Sequence, residues 1–566
     1  MGFARKNNWF STYLALFLLG TIVLFFRSAY SFITPYLFAE DGVWFSELIN
    51  DGFIHTFFNQ RYFMTGYLLL EETAISINKL LFGYNLTYFA EIVAVVSYSF
   101  HSIVALMVFI CLRRNLTAFP RFVIWVMILL LPTGRTSVEI FGRILNFGYM
   151  FYFIALILTF YLIFNVTEST SKVKLFFIFV ILWVCSTTNS ASNLILGVGF
   201  FADIISQYLS IRKKQCANQG VFFYLKELFV RYKNLMWMWL GIICFISFLY
   251  QVLAMRLISD GSIPHLINYE NIIEFFGREI LFYFTWPFYR YLNNSYVVLM
   301  LCLFSLLIIL AIFISRKEKR FEILYLTVGT LLIALITFVM RPGLTALLQN
   351  YQSTFPDRYY YVINICAMVL IVYAVSSFKG CITLKFCKLY VYILLFFPVL
   401  LVPSSIFEFN KTIYIEPFPF DSLTYGIFNG QKQNNGLYRV LTSPPSLPTL
   451  STIYIPENYV RSTMINERDY RTAEISKRFY ALLNGDTLRI VYDGNEESVW
   501  LAIWSNYNGQ DDLVWVKASG ECENSKLCYD FKLSGTKLLE APYYIHFYNG
   551  KDKPENIVGA LATPVR

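Results

Sequence analysis

Two adjacent carboxylates, Glu40 and Asp41, stand in the run Tyr36-Leu37-Phe38-Ala39-Glu40-Asp41-Gly42-Val43-Trp44-Phe45, shortly after the first strongly apolar segment. Hydrocarbon is a poor solvent for carboxylates, so such a pair belongs at the water interface just outside a bilayer. A carboxylate there can accept a proton from a sugar hydroxyl as its oxygen attacks an anomeric carbon. Partial desolvation makes it a better base. Its neighbour can orient the acceptor or help hold a divalent cation. A structural reading competes: Asp41-Gly42 can open a helix, with the Asp41 side chain accepting a backbone N–H as its cap. Capping does not exclude catalysis.

Other residues could serve the same chemistry. Arg135, Glu139 and Arg143 share a short polar stretch that could bind phosphate or an acceptor sugar, or form an ordinary ion-paired loop. His265 could assist the acceptor, against the blander reading of a solvated loop histidine. Glu71-Glu72 could be a second acidic site, although the polar face of a surface helix is the simpler reading. Cys522 and Cys528 lie close together in the only long polar region, where an extracytoplasmic setting favours a disulfide and a cytosolic one free thiols.

The elements that must position these residues are membrane helices. The chain has 566 residues, 57% hydrophobic and 15% charged, with a mean hydropathy of +0.53. Soluble domains average about 45–50% apolar and about 25% charged, so the composition is that of a polytopic membrane protein. The net charge of +9 is spread over short loops between apolar runs, which speaks for membrane topology and against nucleic-acid binding. A basic start, Arg5-Lys6, puts the N-terminus in the cytoplasm ahead of a first helix over 9–26. Residues 27–87 then form a large outer loop, in which the spacing of Val43, Phe45, Leu48, Ile49 and Phe53 predicts an amphipathic helix over 42–58, lying along the membrane surface. Further spans are expected over 88–112, 121–132, 147–164, 235–255, 281–314, 321–340, 359–377 and 389–407. Residues 175–210 read as two short helices meeting at the polar break Ser186 to Asn193. The total is about eleven spans, and the proposed cytoplasmic loops carry about twice as many Lys plus Arg as the outer ones, although the outer ones are longer in total.

From 408 to 566 the chain turns polar, with strand-like runs at 452–455, 487–492, 513–516 and 543–547. The expected organisation is therefore an α-helical membrane domain, 1–407, and a soluble β or α+β extracytoplasmic domain, 408–566. P-loop, dinucleotide, HExxH and GxSxG patterns do not occur in the sequence, so neither ATP-driven transport nor nicotinamide chemistry is indicated.

The acidic pair in a first outer loop, after a cytoplasmic N-terminus and one helix, resembles the polytopic GT-C glycosyltransferases that use polyprenyl-phosphate sugars. The run Phe38-Ala39-Glu40-Asp41-Gly42 followed by an amphipathic helix is similar to bacterial members, including serotype-converting O-antigen glucosyltransferases. Pro356-Asp357-Arg358-Tyr359-Tyr360-Tyr361 is similar to the Arg-Tyr-Tyr entry to a late helix in such enzymes. The resemblance covers residues 1–400 by layout and rests on these two motifs. It implies an inner-membrane enzyme that moves a hexose from polyprenyl phosphate to a lipid-linked or surface glycan on the periplasmic face, with inversion. Glu40 or Asp41 would be the base, with Asp41 the contact for a divalent cation such as Mg or Mn if one is needed. Arg358 would meet the donor phosphate, Arg341 is a weaker candidate for it, and Tyr359, Arg135, Arg143 and His265 would line the acceptor side. Interfacial anchoring is the competing role for Arg358 and Arg341. The alternatives to an enzyme of this kind are a flippase or transporter, or a polymerase, of lipid-linked saccharides.

Overall fold

The computed structural model describes residues 8–33, 37, 40–59, 64–131, 140–167, 169–189, 192–214, 232–258, 280, 294–340, 360–378, 423–428, 431–442, 452–465, 479–484, 486–492, 499–505, 513–518, 527–536, 538, 543–548 and 557–562. Its helical part runs α1 (Asn8–Arg27), α2 (Tyr30–Ile33), α3 (Glu40–Asn59), α4 (Thr65–Phe82), α5 (Phe89–Cys111), α6 (Ala118–Leu130), α7 (Phe147–Phe164), α8 (Lys172–Thr188), α9 (Ser192–Lys214), α10 (Tyr232–Ile258), α11 (Asn294–Ile314), α12 (Lys317–Met340) and α13 (Tyr361–Ser377).

Among the described residues, 5 helices are long and apolar enough to cross a membrane, namely α1, α5, α7, α10 and α12; α6, α13 and the stretch Val298–Ile314 of α11 are shorter apolar segments. The protein is thus multi-pass. The expected span at 389–407 and the first part of the one at 281–314 lie outside the described residues. The expected break between two short helices appears as the end of α8 at Thr188 and the start of α9 at Ser192.

The helices sort by the distribution of their apolar residues. Helices α7 and α13 are apolar on all sides and buried nearly throughout, so they form the centre. Peripheral helices turn Leu14, Leu18, Leu299, Leu303 and Phe313 outward, as hydrocarbon contact requires. At one end of the bundle, Arg27 donates to the Leu129 carbonyl at 2.6 Å and to that of Leu131, tying the end of α1 to the end of α6. Its guanidinium lies 4.5 Å over the Phe141 ring. Near the opposite end, Asp203 on α9 accepts from Lys233 at 2.7 Å, Trp237 at 2.9 Å and Gln207 at 3.0 Å. Such a carboxylate is tolerable in a bundle because each oxygen is satisfied.

The C-terminal part holds α14 (Leu423–Phe428), β1 (Gln431–Lys432), β2 (Leu437–Leu441), β3 (Thr452–Pro456) and α15 (Glu457–Ile465). They are followed by β4 (Phe479–Asn484), β5 (Thr487–Tyr492), β6 (Val499–Ser505), β7 (Val514–Ala518), β8 (Leu527–Lys532), β9 (Tyr543–Tyr548) and β10 (Ile557–Ala562). Strands β4–β10 make two antiparallel sheets, ordered β10-β9-β6-β7 and β4-β5-β8. Alternate residues Leu488, Ile490, Leu501, Ile503, Ile545 and Phe547 supply their shared core.

The small sheet β1-β2-β3 instead packs with the helical part. Its Val440, Ile453 and Ile455 share a hydrophobic cluster with Trp44, Phe45 and Phe89. Its edge strand is closed by a helix: Ser46 Oγ on α3 donates to the Tyr454 carbonyl at 2.9 Å and accepts the Tyr454 N–H at 2.9 Å. Asn50 Nδ2 adds a bond to the same carbonyl at 2.8 Å. One hydroxyl thereby does what a further strand would do, and the edge is not open for another chain. Farther along, the Leu86 N–H donates to Thr463 Oγ1 at 3.0 Å, and Tyr84 meets Tyr459 edge to face at 5.0 Å. Ser46→Ala, which leaves both Tyr454 groups to Asn50 or water, is expected to lower stability by about 1–3 kcal/mol, read as a fall in the melting temperature of the purified chain.

Candidate functional site

Helix α3 begins at Glu40 and places both carboxylates in its first turn, where the helix dipole favours negative charge. Their environments differ. Glu40 is half-buried, whereas Asp41 is 0% exposed. The sequence offered a cap role for Asp41, but its Oδ2 accepts the N–H of Ile144 at 3.2 Å, from a segment far along the chain. Its Oδ1 has no hydrogen-bond partner among the described residues.

The segment 140–146 that reaches Asp41 is nailed to the end of the bundle. Ser31 Oγ donates to the Phe141 carbonyl at 2.9 Å, the Gly142 N–H donates to Ser97 Oγ at 3.0 Å, and Tyr98 OH donates to the Ser28 carbonyl at 2.8 Å. Gly142 has φ +76, and a Cβ there would stand 2.3 Å from Ser31 Cβ and 3.2 Å from Tyr98 OH. Glycine is therefore required both for the left-handed backbone and for the close approach. Gly142→Ala is expected to cost well over the roughly 1–2 kcal/mol of the left-handed conformation, because Ser31 must also move. A loss of yield or of melting temperature relative to the wild type would register it.

This turn carries Arg143, which is 1% exposed and whose Nη1 donates to its own Gly142 carbonyl at 2.8 Å. The ordinary loop reading does not describe such a residue, since a buried guanidinium needs an electrostatic reason. That reason is Asp41. Burial pushes the Asp41 carboxyl up from 3.8 to about 7; Arg143 and the Ile144 N–H pull it down, and Glu40 adds a smaller upward push. The guanidinium acts on the carboxylate through space.

Glu71 is the third member, and sequence reasoning set it on a surface. It is 0% exposed, and neither of its oxygens has a hydrogen-bond partner among the described residues. Burial, then Asp41, then Glu72 all raise its proton affinity well above the ordinary carboxylate value. Helix α4 is held in place by the polar break of the α8–α9 pair. Thr65 Oγ1 bonds Thr187 Oγ1 at 2.7 Å, and the Gly66 N–H donates to Thr188 Oγ1 at 2.8 Å. On its inner face Tyr67 meets Trp44 of α3 at 4.8 Å. The buried positions Tyr67, Leu68, Glu71, Ala74, Ile75 and Asn78 recur at helical spacing, and that pattern is the sequence signal that could have found Glu71.

The small sheet closes over the same spot: Thr442 Oγ1 lies 3.2 Å from where a Cβ on Gly42 would stand. Arg135, His265, Arg341, Arg358, Tyr359 and Cys522 lie outside the described residues, as does any pairing of Cys522 with Cys528. Tyr360, the last residue of the Arg-Tyr-Tyr motif, is buried at the start of α13, and Tyr361 OH donates to the Ile128 carbonyl at 3.3 Å.

Residues 490–563 match the model of the GBS Bsp-like repeat. No curated protein matches the chain in sequence. Structures of the oligosaccharyltransferase of Archaeoglobus fulgidus are similar at low identity. One, in complex with Zn and sulfate, has a TM-score of 0.37 at 15% identity, covering 73% of this chain and 55% of that one. A second, tethered with an acceptor peptide containing the NVT sequon, has a TM-score of 0.36 at 14% identity, covering 75% and 58%. The third, AglB with an inhibitory peptide and a dolichol-phosphate, has a TM-score of 0.35 at 14% identity, covering 74% and 58%. The chain spans little more than half the length of those enzymes, and superpositions this partial do not establish a shared fold.

Proposed function

We propose that the protein is a membrane glycosyltransferase that moves a hexose from a polyprenyl-phosphate carrier to a lipid-linked or surface glycan, with Asp41 as general base. The observation that carries this reading is the buried Asp41 carboxyl at the end of the helical bundle, balanced by Arg143 so that it exchanges its proton at about 7. A group with that affinity is ionised often enough to accept a proton and strong enough to draw one from a hydroxyl in the transition state. As the acceptor oxygen bonds to the anomeric carbon, its proton passes to Asp41 Oδ1. The bond from that carbon to the phosphate oxygen breaks, and the electron pair leaves with the lipid phosphate. Attack opposite to the leaving phosphate inverts the centre. Arg143 stands four residues before Phe147, where a span begins, and that position suits a guanidinium that meets a lipid phosphate. Arg358 and Arg341 remain candidates for the same anion.

No group of three or more His, Cys, Asp or Glu among the described residues could hold a metal ion, and the cation beside Asp41 is already the Arg143 guanidinium. The reading places α3, the 140–146 turn and the small sheet on the periplasmic face of a bacterial inner membrane, with the β-sheets of 479–562 beyond them. Its test compares surface glycan composition in cells making the wild type, Glu40→Gln or Asp41→Asn, at matched membrane abundance. Wild-type glycan in the Asp41→Asn cells would sink it.

A further inference from the structure

Glu71 has no structural task that its chemistry explains. Leucine would fill the same place between α3 and α4 without burying a carboxyl that has no partner. A buried polar group kept against that alternative points to a ligand that satisfies it. Asp41 Oδ1, likewise buried and without a partner, lies within electrostatic reach of it. The charges bearing on the two carboxyls are Glu40 on α3, Glu72 on α4 and Arg143 from the 140–146 turn. Two carboxyls brought together in this way divide the labour: one stays protonated and donates, the other ionises and accepts.

We propose that Glu71 binds the acceptor sugar as a neutral acid, its O–H donating to one hydroxyl while the neighbouring hydroxyl presents its proton to Asp41 Oδ1. The acceptor is then recognised by a vicinal pair of hydroxyls, as on a pyranose ring. Glu71 keeps its proton through the step, and the only proton that moves is the one Asp41 takes. This inference rests on the transferase reading above.

The experiment uses the full-length chain in membrane vesicles, with polyprenyl-phosphate hexose as donor and the host's extracted lipid-linked glycan as acceptor. Glu71→Leu is expected to raise the melting temperature, because an unpartnered carboxyl is removed from the interior, and to lower kcat/KM about tenfold to a hundredfold, mainly through the acceptor KM. Glu71→Gln retains a donor and is expected to recover part of that loss. It is also expected to abolish the fall in activity at alkaline pH that ionisation of Glu71 causes in the wild type. Wild-type kcat/KM for Glu71→Leu would overturn the proposal, since the side chain would then be packing alone. Activity of Glu71→Gln as low as that of Asp41→Asn would also overturn it, because the anion would be what matters. Absence of any transfer by the wild-type chain in the same vesicles would instead remove the transferase reading, and the Glu71 role with it.

Discussion

Asp41→Asn lowers glycan transfer by about 10²–10⁴-fold, the usual contribution of a positioned general base, with insertion and abundance unchanged. Asparagine has the same shape, and its carbonyl oxygen can still accept the Ile144 N–H that Oδ2 accepts at 3.2 Å. It cannot take up a proton. Glu40→Gln has the smaller effect, because Glu40 is half-buried and touches the reaction only through the charge it adds beside Asp41. The pH profile carries the same expectation. With Asp41 raised from 3.8 to about 7, kcat/KM climbs with pH up to a midpoint near 7, and this limb is missing in any residual activity of Asp41→Asn. The stability consequence has the opposite sign. Between those two values the native state holds a proton that the unfolded chain has released, so rising pH lowers stability across that window. Asp41→Asn is therefore expected to melt higher than the wild type above neutral pH. Melting curves and transfer rates on one set of samples check both.

Arg143→Gln has the second-largest effect, and it depends on pH. The guanidinium is the main influence holding Asp41 down against burial. An opposite charge close by is worth roughly 1–3 pH units, so its loss moves the midpoint of the activity limb toward alkaline pH by about that much. At neutral pH the ionised fraction of Asp41, and with it the rate, falls about tenfold or more. Raising the pH restores much of this, which a misfolded or mispacked variant could not show. Activity of Arg143→Gln that is equally low at every pH would mean that the arginine works on the phosphate or on the fold and not through Asp41.

Much of the helical framework was legible in the amino-acid order. Long apolar runs with basic flanks mark α1, α5 and α7, because a helix is the arrangement in which a single segment satisfies its own backbone polar groups in hydrocarbon. The amphipathic spacing of Val43, Phe45, Leu48 and Ile49 marks α3, and the polar run from Ser186 to Asn193 marks the break between α8 and α9. The use of that break was not legible. Its threonines hold the start of α4, a contact between residues more than a hundred apart. Glu71 was misplaced for a related reason. The pair Glu71-Glu72 looks solvated until the helix is wound, which turns one carboxyl fully inward and leaves the other half-buried.

The order of residues settled that this is a multi-pass helical protein with a polar, strand-rich tail, since both follow from local composition and periodicity. It also singled out Glu40 and Asp41, because adjacent carboxylates beside a membrane helix are conspicuous in one dimension. Which of the two is buried, what sets its proton affinity and what faces it were decided by folding. Asp41 acquires its character from burial and from Arg143 and Ile144, which come from another part of the chain. Burial and charge act through space, and only packing brings those groups together.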